Sequence, residues 1–253
     1  MSTAARVLKD IYHHFYPRES DGFIRWVKRY YSPNEILVIF DIGSRDAEQS
    51  IELAEKFPNA RVFAFECNPD TLEICYKNAE KNDRVTVVPK AITDYDGTCS
   101  FYKNNPKKMD VQIPKNYLKD KDGPLRYLAG GSSLFSDGPA DASQNDHQIK
   151  VTVDCTRLDT FCRQNNIHSI DLIWMDLEGA ELLALKSLGD QIKNVKMIQT
   201  EAQVQKGATN KGTFFEIQMY LASFGFDFLE KKRVQKNIDD QEGHTDVVFK
   251  MFR

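Results

Sequence analysis

The sequence has little from which a covalent or metal-stapled scaffold is made. Its five cysteines (Cys67, Cys75, Cys99, Cys155 and Cys162) are odd in number and include no C-x-x-C pair. Neither a disulfide framework nor a tetrahedral zinc site is therefore expected. Long apolar runs are missing too: Ile36–Phe40 is typical, far short of the roughly 18 residues that suggest a membrane span. The opening segment MSTAARVLKDIYHHFYPRES lacks the unbroken apolar stretch and small-residue cleavage site of a secretory signal, so a soluble, cytoplasmic protein is expected. A formal charge of −3 leaves no basic excess for neutralising phosphates, which argues against a dedicated nucleic-acid binder. Internal repeats and low-complexity tracts are also lacking. What remains, 253 residues with 41% apolar and 28% charged composition, fits one globular domain spanning 1–253.

The pattern present is an alternation of strands and helices. Leu8, Ile11, Tyr12 and Phe15 share a helical face, as do Phe23, Ile24, Val27 and Tyr30 beyond the Pro17–Gly22 break, predicting a helical cap over residues 1–34. Short β-branched or aromatic runs then predict strands at Ile36–Phe40, Arg61–Phe65, Arg84–Pro89, Gly97–Tyr102, Ile149–Val153, Asp171–Met175, Val195–Thr200, Phe226–Glu230 and Asp246–Phe252. Helical stretches fall at Ala47–Phe57, Pro69–Ala79, Asp159–Asn165, Ala180–Leu188 and Phe214–Phe224. Asn68 and Pro69 suit the start of the second of these. The alternation implies an α/β fold, a doubly wound, mostly parallel Rossmann-like sheet with right-handed crossovers, the last two strands pairing antiparallel at one edge. Residues 104–147, rich in Lys, Asp, Gly, Pro and Ser, read as a long loop or lid.

In such a sheet ligands bind beyond the carboxyl ends of the strands. Four core strands end at Asp41, Glu66, Asp176 and Glu201. One acid at a strand end is ordinary helix capping; a row of them points to a functional rim. The loop Asp41-Ile42-Gly43-Ser44-Arg45-Asp46-Ala47 places Arg45 where a dinucleotide fingerprint needs its second glycine, and no G-x-x-x-x-G-K-[ST] segment exists. S-adenosylmethionine has no phosphate and suits the rim better. Asp41 and Gly43 fit the tight turn beside its methionine part, with Ser44 and Ser50 as hydrogen-bond donors. Glu66 fits the ribose, and Cys67, Asn68 and the Lys90–Thr93 segment including Ala91 flank the adenine.

The order and wording of these segments resemble the FkbM family of S-adenosylmethionine-dependent methyltransferases. The resemblance is carried by VIFDIGSRDAEQS (38–50), FAFECNP (63–69), VVPKAITDYDGTCSFY (87–102), GGSSLF (130–135), VTVDCTRLDTF (151–161) and DLIWMDLEGAELLALKSL (171–188). It implies a seven-stranded methyltransferase sheet and O-methylation of a saccharide or other small-molecule hydroxyl. The family usually has glycine where Ala47 stands and often a basic residue where Met175 stands, which bears on the acceptor more than on the cofactor.

Methyl transfer to an alkyl hydroxyl requires the acceptor oxygen to be aligned and its proton accepted. Asp176 is the first candidate, which would place it against both cofactor and acceptor, followed by Glu178 and Glu201. Alternatively Glu178 merely opens the next helix, and Asp176 with Glu201 offers hard oxygen ligands for a divalent metal, which is not the expectation. His147 and His244 are further candidate bases. The rival readings are a non-catalytic ligand-binding module on the same fold, a nicotinamide-linked oxidoreductase, and a nucleic-acid methyltransferase using the loop lysines (Lys103, Lys107, Lys108, Lys115, Lys119 and Lys121). The acceptor and the oligomeric state are not legible.

Overall fold

The computed structural model describes residues 21–105, 107, 122–136, 147–203, 212–231 and 244–252. Among them run ten strands: β1 (Val38–Ile42), β2 (Arg61–Phe65), β3 (Val85–Val88), β4 (Ala91–Ile92), β5 (Gly97–Asn104), β6 (Gln148–Thr156), β7 (Ile170–Met175), β8 (Val195–Gln203), β9 (Phe226–Lys231) and β10 (His244–Met251). The α-helices are α1 (Asp21–Tyr30), α2 (Glu48–Lys56), α3 (Leu72–Ala79), α4 (Gly123–Ala129), α5 (Leu158–Gln164), α6 (Glu181–Ser187) and α7 (Phe214–Ala222). The first expected helix, around Leu8–Phe15, lies outside the described residues.

Seven strands form one sheet in the order β3-β2-β1-β7-β8-β10-β9. Neighbours from β3 to β8 are parallel, and β10 is antiparallel to both β8 and β9. The chain winds outward from β1 in one direction and from β7 in the other, so the crevice for a ligand opens between these two strands. Alternate residues bury opposite faces. Phe40, Phe63, Phe65 and Ile173 pack with Phe161 of α5, Leu185 of α6 and Leu221 of α7. Ile39, Val62, Leu172 and Met197 pack with Phe23 of α1, Leu53 of α2 and Cys75 of α3. Period-two burial on both faces, with helices covering each, is what the near-continuous apolar strands demand.

Of the strand limits that the structure moves, those of β1 and β8 have a polar or pairing reason. β1 starts at Val38, where the Asp171 carboxylate accepts from the Leu37 and Val38 amides at 2.7 and 2.9 Å. It runs past Phe40 through Asp41, whose carboxylate is satisfied inside the fold by the Ser50 hydroxyl. β8 continues to Gln203 because β10 pairs along it, Asp246 opposite Glu201 and His244 opposite Gln203. Glu201 thus sits within a strand rather than beyond its end.

The strands expected at Gly97–Tyr102 and Ile149–Val153 belong to a separate three-stranded sheet, β4-β6-β5. Antiparallel pairing from Gly97–Cys155 to Asn104–Gln148 makes β5 and β6 a hairpin, and the Asn105 amide donates to the His147 carbonyl at 2.8 Å. The 104–147 segment is therefore an insertion that leaves and re-enters the domain at one point. Its described part folds back: Asn104 Nδ2 donates to the Leu128 and Gly130 carbonyls at 3.0 and 2.6 Å, and Ser133 exchanges both backbone bonds with Tyr102. Of the described loop lysines, Lys103 is committed to Asp70 at 2.7 Å, which removes it from any polyanion surface.

Phe161 lies edge-on to Phe40, Phe63 and Phe65 at centroid separations of 5.7, 5.4 and 4.9 Å. Phe161→Ala is expected to cost about 3–5 kcal/mol of stability, read as a lower urea midpoint at unchanged slope. A loss below about 1 kcal/mol would contradict this packing.

Candidate active site

The turn after β1 is built around one close contact. Gly43 has φ +86°, and a Cβ there would lie 1.9 Å from the backbone oxygen of Asp176. Only glycine lets the β1 and β7 loops meet at this distance. The Gly43 and Ser44 amides both donate to the Phe65 carbonyl at 3.0 Å, which ties the same turn to the end of β2. Ala47 is left-handed as well, at φ +58°, the backbone that explains a glycine preference at this position. Asp41 and Ser50 do not reach the crevice: they are buried and paired to each other below the turn. Burial raises the Asp41 carboxyl to about 7 against the opposing Ser50 bond, with nearby Asp46 adding to the rise and Arg45 opposing it.

Glu66 follows β2. Its Oε1 accepts from the Cys67 and Asn68 amides at 2.7 and 2.6 Å, so the following turn fixes the carboxylate. Burial raises it to about 7, against these bonds and the Arg45 amide and guanidinium. A cleft of about 870 Å³ opens over these loops, lined by Gly43, Ser44, Arg45, Glu66, Cys67, Asn68, Ala91 and, across it, Asp176 and Glu178. Gly130–Leu134 of the insertion form part of the same wall.

The far wall is the turn after β7, held at nearly every peptide group. The Asp176 amide donates to the Ile42 carbonyl at 3.0 Å. The Leu177 and Gly179 amides donate to Glu181 Oε1 at 2.9 and 3.1 Å. The Ser133 hydroxyl donates to the Glu178 carbonyl at 3.1 Å, and the Gly212 amide to the Gly179 carbonyl at 3.1 Å. These ties hold Glu178 at φ +52°, a left-handed conformation that costs a non-glycine residue on the order of 1–2 kcal/mol. Asp176 presents its side chain to the open cleft but is otherwise ringed by protein. That enclosure, followed by the charges of Glu201, Glu178, Glu181 and Asp246, raises its carboxyl well above the usual range. Carboxylate oxygens of Asp176, Glu178 and Glu201 lie within 4.8 Å of one another, the hard donor set that a divalent cation accepts.

Residues 41–228 match the Methyltransferase FkbM domain. The chain belongs to this family. Among its relatives is the 2-O-methyltransferase NoeI of Sinorhizobium fredii, 29% identical over 177 residues, which are 67% of this chain and 64% of NoeI. Methyltransferase 1 of Beauveria bassiana is 25% identical over 197 residues, 74% of this chain and 71% of that protein. The match to NoeI thus spans less than two thirds of its length. Among solved structures, magnesium protoporphyrin IX methyltransferase (ChlM) from Synechocystis PCC 6803 aligns at TM-score 0.47 and 8% identity, over 92% of this chain and 77% of that one, too distant to carry an argument.

In this FkbM domain Gly43, Ser44, Glu66, Cys67, Asn68, Ala91, Asp176 and Glu178 line one cleft. Asp41 and Ser50 support it from beneath. Glu201 is not a lining residue and reaches the group through Asp176 and Glu178. His147 is exposed at the base of the insertion, away from the cleft lining. His244 opens β10 opposite Gln203; its side chain lies outside the described residues. Sequence reasoning passed over Glu181, which is buried and shapes the turn. The signal was present, since a carboxylate at the first turn of a helix attracts unspent amides, but an acid there is too common to single out.

Asp41, Glu66 and Glu181 are each raised to about 7 by burial. A carboxyl raised on folding stabilises fully below its unfolded value of about 4 and loses that contribution as pH rises through its folded value. The ligand-free protein is therefore expected to be less stable to urea at pH 8 than at pH 5.5. Glu66→Gln, which keeps the oxygen that accepts from Cys67 and Asn68, should be more stable than wild type at pH 8, by a smaller margin at pH 5.5, and nearly equal to it at pH 4. Equal stabilities at both pH values would contradict the burial of these groups as charges.

Proposed function

We propose that this protein is an S-adenosylmethionine-dependent O-methyltransferase acting on a hydroxyl of a saccharide or other small molecule. The observation that carries this reading is the meeting of Gly43 with Asp176, which sets the fixed carboxylate of Glu66 and the open carboxylate of Asp176 on opposite walls of one cleft. Membership of the FkbM family and the relative named a 2-O-methyltransferase support oxygen as the acceptor.

S-adenosylmethionine supplies a methyl group on a positively charged sulfur, open to in-line displacement. Glu66 receives the ribose hydroxyls, its geometry fixed in advance by the Cys67 and Asn68 amides. Cys67, Asn68 and Ala91 enclose the adenine, and the bare Gly43 backbone lets the methionine part approach β1. Asp176 takes the acceptor's proton as the new bond forms. The enclosure and the neighbouring carboxylates that raise its carboxyl make it a stronger proton acceptor than an ordinary aspartate. Glu178, held left-handed beside it, orients the acceptor.

Asp176→Asn is expected to lower turnover about 10²–10⁴-fold while S-adenosylhomocysteine still binds. Methyl transfer from S-[methyl-³H]adenosylmethionine to a panel of neutral, amino and acidic sugars, with analysis for an alkali-stable methyl ether, is the measurement. Transfer to nitrogen or to nucleic acid, or full activity in the Asn variant, would overturn the reading. The reaction is proposed to run without a metal, so activity should survive dialysis against EDTA. Loss restored by Mg²⁺ would instead make Asp176, Glu178 and Glu201 cation ligands.

A further inference from the structure

The end of the sheet opposite the cleft carries a surface that the proposed reaction does not use. Helix α1 buries its apolar face in the core through Phe23, Ile24 and Val27. Its outer face bears Arg25, Lys28 and Arg29, all exposed, and the helix has no acid beyond Asp21. Aromatic rings alternate with cations from there in one unbroken chain of contacts. Trp26 stacks on Tyr30 at 6.2 Å, with the Arg29 guanidinium 5.3 Å from the indole centre. Tyr30 meets Phe252 edge-on at 6.4 Å. The Lys250 ammonium lies 3.8, 4.9 and 5.8 Å from the ring centres of Phe252, Tyr30 and Tyr31. Lys196 lies 5.6 Å from Tyr31 on its other flank and pairs with Asp171 at 2.5 Å. The second oxygen of Asp171 accepts from the Leu37 amide, which closes the chain at an aliphatic side chain.

Large apolar groups reach solvent here: Leu37 is 54% exposed, Phe252 49% and Tyr30 37%. They stand where β1, β7 and β8 begin and antiparallel β10 ends, facing away from the strand ends that carry Glu66 and Asp176. The charge balance is positive. Asp171 offsets Lys196, and Asp190 offsets Lys193. Glu35, which accepts from the Ser32 amide, and Asp227, opposite Lys250 in register, remain. Against them stand Arg25, Lys28, Arg29, Lys250 and Arg61, whose amide donates to the Leu37 carbonyl. Exposed rings and an aliphatic side chain set among Lys and Arg match the headgroup layer of an anionic bilayer. Nucleic acid fits less well, because Arg29 and Lys250 already cover the Trp26 and Phe252 rings on which bases would stack. We propose that this end of the sheet is a peripheral docking surface for an anionic lipid membrane. No helix among the described residues is long and apolar enough to cross a bilayer. The contact is therefore superficial: Leu37, Tyr30 and Phe252 enter the headgroup layer, the cations meet lipid phosphates, and the cleft stays open on the far side. This inference is independent of the cofactor reading.

Co-sedimentation of the full chain with vesicles tests it without acceptor or cofactor. Vesicles of phosphatidylcholine with phosphatidylglycerol are expected to bind about 10–100-fold more tightly than phosphatidylcholine alone, and less so as salt is raised. Lys28→Glu combined with Arg29→Glu should remove that preference. The milder pair Lys28→Gln and Arg29→Gln should reduce it and guards against a folding defect in the first. Leu37→Ser with Phe252→Ser should weaken binding to the mixed vesicles about tenfold. Thermal unfolding close to wild type in each variant shows that the fold is kept. Equal binding to both vesicle types, binding to neither, or a preference that survives these substitutions overturns the proposal. Binding of a DNA duplex that the charge-reversed pair loses, with no vesicle binding, assigns the surface to nucleic acid and overturns it as well.

Discussion

The site depends on the absence of one methyl group. Because Gly43 has no Cβ, the turn after β1 lies directly on the backbone of Asp176 after β7. Two walls from opposite halves of the sheet then share one cleft. The amides of Gly43 and Ser44 bind the end of β2 from the same turn, so the positions of Asp176 and Glu66 are both referenced to one glycine. A side chain there would have to displace main chain on a central strand, where close packing leaves nowhere for it to go.

Around that contact the protein keeps carboxyl groups in places that cost stability. Asp41, Glu66 and Glu181 are raised to about 7 and Asp176 well above its ordinary value, burial being the first cause in each case. The cost is met by local hydrogen bonds: Ser50 for Asp41, two amides for Glu66, two amides for Glu181. Acids paid for by short-range donors keep their geometry when the cleft is empty, which is the preorganisation that a displacement reaction needs. The insertion joins the same network through the Ser133 hydroxyl on the Glu178 carbonyl.

Much of this was legible in the residues. The buried strands announce themselves as apolar runs, and Glu66 and Asp176 stand where such strands stop. Asp41 and Glu201 misled because a charged residue looks like a strand end; inside the fold Ser50 and β10 allow the strand to continue. The three-stranded sheet was hidden because its pairing spans the whole insertion, Asn104 to Gln148, and no local pattern encodes a contact at that separation. Arg45 reads in sequence only as a missing glycine.

The most direct measurement of the central claim is a crystal structure with S-adenosylhomocysteine bound. The account predicts the ribose hydroxyls on Glu66, adenine between Cys67 and Ala91, and the sulfur over Gly43 on the side facing Asp176. A ligand whose ribose lies away from Glu66, or whose sulfur faces away from Asp176, would contradict it.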